Sequence, residues 1–114
     1  MEEDDRYLES WEAAALAHLP RAVAPFIAEL ALSTDFNMQR WQKENAVANA
    51  VRECPHAALA FATWLATDSP FSEELIKEQG AWCLAWQLAE EAAPKIAAAY
   101  EAAVEKEKEE EDMA

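Results

Sequence analysis

Apolar positions recur along this chain at helical spacing, and prolines and short polar groups divide the pattern into segments. Leu8, Trp11, Ala15 and Leu19 lie three or four residues apart and predict a first helix over 5–19 with that stripe inward. Asp5, Glu9 and Glu12 form a separate acidic stripe beside it, where acids suit the positive end of the helix dipole. A second helix over 20–32 carries Val23, Phe26, Ile27, Leu30 and Ala31 on one face. Pro25 does not suit a helix interior and offers an alternative first turn there. Ser33, Thr34 and Asp35 supply capping chemistry for a third helix over 36–53, with Trp41, Val47 and Val51 apolar and Arg40, Lys43, Glu44 and Asn45 polar. Cys54 and Pro55 close it and open a fourth over 55–67. This helix is apolar nearly all round (Leu59, Phe61, Trp64, Leu65 and alanines) and belongs at the centre of a bundle or under a second subunit.

A fifth helix follows the turn at 67–70 and extends to about residue 93. Leu75, Gln79, Trp82, Trp86, Ala89, Ala93, Ile96 and Tyr100 alternate in steps of four and three, a coiled-coil-like seam. The seam makes Trp82 and Trp86 residues that face other helices; an exposed aromatic grip for a partner is the competing reading. Pro94 interrupts the seam, and because an interior proline costs about 3 kcal/mol, a kink or short break before a sixth helix over 95–104 is expected. Acids beyond residue 104 oppose the dipole at a helix C-terminus, so 105–114 is expected to fray from a single domain over 1–104. No run alternates as a half-buried strand does. The fold class is therefore all-α, a compact bundle of five to six short helices with acidic N- and C-terminal ends.

Composition agrees with that pattern. The 114 residues are 53% hydrophobic, with much alanine and a single glycine, Gly80. That length can bury a core. Charge adds something the pattern does not show. Residues 2–12 hold six acids and one base, and residues 101–114 seven acids and two bases, so each end carries −5 of the chain's −14. Six antiparallel helices would bring the two ends together. Phosphates and anionic membranes are repelled by such ends, so direct nucleic-acid and membrane binding are disfavoured and a basic protein is the natural complement. The opening MEEDDR is the opposite of a basic leader, and two scattered cysteines make no disulfide framework, so a cytoplasmic protein with reduced thiols is expected.

Candidate chemistry is sparse. The chain has no Gly-rich phosphate loop, G-x-S-x-G, H-E-x-x-H or C-x-x-C, and no enzyme or cofactor is expected. Cys54, Cys83, His18 and His56 could supply four zinc ligands, but without paired spacing no metal site is expected. Cys54 reads as a semi-buried thiol at a helix junction, with a reactive thiol at a helix N-terminus as the alternative. Cys83 reads as a small core residue.

Three functions compete. The first is an inhibitor or adaptor that blocks or bridges a basic, nucleic-acid-handling partner through Asp5, Glu9, Glu12, Glu101 and Glu105, with Trp82 and Trp86 as a possible aromatic interface. Small acidic phage inhibitors of bacterial defence, anti-CRISPR and anti-restriction proteins among them, use the same physics; the analogy is one of charge and size. The same acids would also serve solubility. The second is a self-associating scaffold, with a homodimer formed through the fourth helix and the 82–100 seam. The third is a small-ligand pocket lined by Trp41, Trp64, Trp82 and Trp86.

Overall fold

The computed structural model describes residues 8–33 and 39–113. Among the described residues the chain forms six helices and no strand: α1 (Ser10–Ala15), α2 (Ala24–Ser33), α3 (Arg40–Glu53), α4 (Pro55–Thr67), α5 (Glu73–Gln79) and α6 (Ala81–Met113). The all-α bundle read from the sequence is the observed fold.

Local chemistry explains most of the boundaries. Glu9 caps α1, and its N–H donates to the Glu12 carboxylate at 3.0 Å. Leu16 and Leu19 leave the helix through a tight turn, and Pro20 then accepts from Val23 and Ala24. α2 therefore begins at Ala24, and Pro25 falls in its first turn, where its missing N–H costs nothing. α3 is capped by Gln39, whose N–H donates to Gln42 Oε1 at 2.7 Å, and not within 33–35. Ser33 ends α2 instead, and Thr34 and Asp35 lie outside the described residues. α4 has the predicted bounds, because Cys54 ends α3 and Pro55 occupies the first position of the next helix.

The expected break at Pro94 is absent, and the chain turns at Gly80. Ser72 Oγ accepts from Leu75 N–H at 3.1 Å to start α5, and Gly80 N–H donates to Ile76 at 2.8 Å to end it. Gly80 has φ 87° and ψ 152°, a backbone conformation reserved almost wholly for glycine. α6 then runs through Pro94 as one helix of 33 residues. Pro94 is exposed, so water can serve the carbonyl that its ring leaves without a donor. Ala89, Ala92 and Ile96 hold both sides of it in the core. The helical backbone continues over 105–113.

α2 forms the centre, with Ala24, Pro25, Phe26, Ile27, Ala28, Leu30 and Ala31 all buried. It packs against α3, α4 and, most extensively, α6, which also takes α1. α4, expected at the centre, buries only Ala57, Ala58, Phe61 and Leu65 and leaves Leu59 exposed. Phe61 is the aromatic hub, with its ring centroid 5.4 Å from Phe26, 6.1 Å from Trp64 and 6.3 Å from Trp82. On α6 the predicted seam residues Trp86, Ala89 and Ile96 are buried, joined by Leu84, Ala85, Leu88 and Ala92, whereas Trp82 and Tyr100 of that seam are exposed.

Candidate functional site

The acidic residues singled out by the sequence have separate fates. Asp5 lies outside the described residues. Glu9 is exposed at the start of α1. Glu12, expected on a solvated acidic stripe, is fully buried and accepts the Glu9 amide, so it belongs to the helix start and not to a surface. Glu101 and Glu105 are exposed on α6, and Glu109 continues the row one turn further on. Side chains four residues apart on a helix stand about 5–6 Å apart at Cβ. Like charges at that spacing cost about 0.2–0.5 kcal/mol per pair, and acids near a helix C-terminus also oppose the dipole. A cationic partner would relieve both costs.

One aromatic contact joins α1 to the later part of α6. The Trp11 ring meets Tyr100 edge-on, with centroids 5.2 Å apart. Glu9 stands two residues before Trp11 and Glu101 directly after Tyr100, so this contact packs α1, which Glu9 caps, on the part of α6 that leads into the C-terminal acidic run.

The same contact forms one end of an open groove of about 850 Å³ between α1, α2 and α6. Ala93, Pro94, Ile96 and Ala97 of α6 line it with Leu32, Trp11 and Tyr100, and Glu90 supplies a carboxylate. Leu32 and Tyr100 remain 51% and 54% exposed. None of these was read as a site residue from the sequence. Trp11 and Tyr100 were legible only as inward positions of separate helices, and Leu32 as the end of the second.

A second groove, of about 640 Å³, lies between α3 and the α5–α6 turn and includes Arg40, Lys43, Trp82 and Trp86 in its lining. Trp86 is 7% exposed and structural. Its Nε1–H donates to Glu90 Oε1 at 2.7 Å, and the Lys43 ammonium sits 5.2 Å from its ring centroid. Trp82 is 46% exposed yet lies against Phe26 and Phe61. Trp64 packs on Phe61, and Trp41 is exposed; neither lines the groove, so the four-tryptophan pocket does not assemble. Cys83, expected in the core, is exposed in this groove.

Cys54, expected half-buried, is fully buried with its thiol 3.8 Å from the Pro25 carbonyl. Glu53 and His56, at an E-x-x-H spacing, lie on different helices either side of Cys54, so they cannot act as the one-helix pair that carboxylate-bridged metal centres use. Among the described residues no three His, Cys, Asp or Glu side chains are grouped to hold a metal ion. No helix among them is long and apolar enough to cross a membrane. Compared with protein-family models, curated proteins and solved structures, the chain matches none, and its site is read from geometry alone.

Proposed function

We propose that this protein is a non-enzymatic, acidic binding module that engages a basic, nucleic-acid-handling protein and blocks or bridges it. What supports this reading is the exposed row of Glu101, Glu105 and Glu109 on α6, the helix on which α1, capped by the exposed Glu9, packs through the Trp11–Tyr100 contact. Such a row presents negative charge to a groove built for phosphates, and the chain's −14 would steer a basic partner toward it. A cytoplasmic setting, where the exposed Cys83 thiol stays reduced, suits the reading. Self-association is the second reading. Exposed Leu59 favours it, and the repulsion between two copies of charge −14 opposes it.

The test compares immobilised wild-type protein with a Glu9→Gln, Glu101→Gln, Glu105→Gln triple variant in a host lysate. Basic proteins held by the wild type at roughly 50 mM salt and released at roughly 200 mM, as the Debye length shrinks, should be lost by the variant and displaced by duplex DNA. Retention indifferent to salt, to the triple change and to DNA would overturn the proposal.

A further inference from the structure

We infer that the groove between α1, α2 and α6 docks a basic amphipathic helix of the partner protein. The inference rests on the acidic-module reading and names the chemistry that would give that module affinity as well as attraction. Charge alone gives fast, weak, salt-sensitive encounters, and tight complexes add a few desolvated apolar anchors. The groove supplies them. Its volume of about 850 Å³ lies within the usual range for binding clefts, roughly 300–1,000 Å³. Its floor runs along α6 from Glu90 to Tyr100, about 15 Å at helical rise, which matches about three turns of a docked helix. The small Ala93 and Ala97 line it one turn apart on α6, and Leu32, Trp11 and Tyr100, one from each of α2, α1 and α6, give it large apolar side chains.

The occupant's class follows from what borders this channel. Glu90 lines it, and the exposed Glu101 directly follows Tyr100, its last lining residue on α6. An apolar stripe flanked by lysines or arginines complements an apolar floor flanked by glutamates. A peptide adding as a β-strand would need a sheet edge, and the described residues have no strand; a helix satisfies its own backbone groups. A second copy of this chain fits poorly, because it would bring its own acidic ends against these.

The probes are two labelled peptides of about 18 residues and identical Leu/Lys/Arg composition. One has leucines at i, i+3, i+4 and i+7, and the other is a sequence isomer with no apolar face. Anisotropy titrations use the full chain as wild type, Leu32→Ser and Ala97→Gln, each checked for unchanged helicity and melting. The amphipathic peptide should bind wild type about tenfold or more tighter than its isomer, a gap of about 1.4 kcal/mol. Both variants should erase that gap while leaving the slope of log affinity against log salt unchanged. Equal binding of the two peptides to wild type, or binding of neither, overturns the inference. In the first case, an undiminished salt slope leaves the acidic-module reading standing and a flat one removes it too. A stable dimer that Leu32→Ser dissociates also overturns the inference, since the groove then belongs to a second copy.

Discussion

The Trp86 indole N–H donates to Glu90 Oε1 at 2.7 Å, one turn along α6. With Lys43 over its ring, Trp86 is held by a carboxylate and a cation on different helices, whereas Trp82, one turn earlier, leaves 46% of its surface to solvent. The two tryptophans therefore differ in kind. Trp86→Ala should destabilise the fold by about 3–5 kcal/mol, as expected for truncating a buried aromatic, and Trp82→Ala by only about 1–2 kcal/mol through lost burial. Urea midpoints separate them; equal losses would show that the exposed edge of Trp82 contributes as much as the buried ring.

Glu12 should behave as a helix-start residue and not as part of the acidic surface. Glu12→Ala removes the acceptor for the Glu9 amide and should cost about 0.5–2 kcal/mol, as losing a cap does. Salt dependence of partner binding should not change. If the variant melts as wild type but binds less steeply with salt, Glu12 acts at the surface after all.

Gly80 has nothing within 4 Å of the position a Cβ would take, so Gly80→Ala meets no steric obstacle. Its cost is conformational. Forcing alanine to φ 87° should destabilise by about 1–3 kcal/mol. A neutral result in thermal melts would mean that α5 and α6 can merge across the turn.

Pro94→Ala restores a donor for the Glu90 carbonyl inside a long helix. Proline is about 3 kcal/mol worse than alanine in a helix interior, less about 0.4–1 kcal/mol that its restriction of the unfolded chain returns. A gain of about 2 kcal/mol is expected from denaturant titration. Unchanged or lowered stability would show that the packing of Ala92 and Ile96 depends on the proline's geometry.

The two thiols should differ in accessibility. A bulky thiol reagent should label Cys83 quickly in the native protein, and Cys54 only as the fold opens, because one is exposed and the other fully buried. Equal native labelling would mean that the α3–α4 junction opens readily.

The amino-acid sequence by itself determined what depends on neighbours in the chain. The α4 bounds follow from Cys54 and Pro55, the first turn of α2 from Pro25, and the all-helical class from alanine-rich segments spaced at helical periods. Tertiary structure decided which faces are covered. On α6, tryptophans and alanines both fit a four-three seam, and alanine, nearly neutral to burial, gives no signal for choosing between registers. Packing of α6 kept Trp86, Ala89 and Ile96 of that seam in the core, added Leu84, Ala85, Leu88 and Ala92, and left Trp82 and Cys83 exposed. The penalty at Pro94 was legible as well, but core contacts on both sides outweighed it, and the unremarkable single glycine became the turn. The candidate site was half visible. Glu9, Glu101 and Glu105 could be read as charge, but the docking of their two helices brings Trp11 to Tyr100, residues 89 positions apart in the chain. A pairing at that separation is set by how helices dock, which no local pattern encodes.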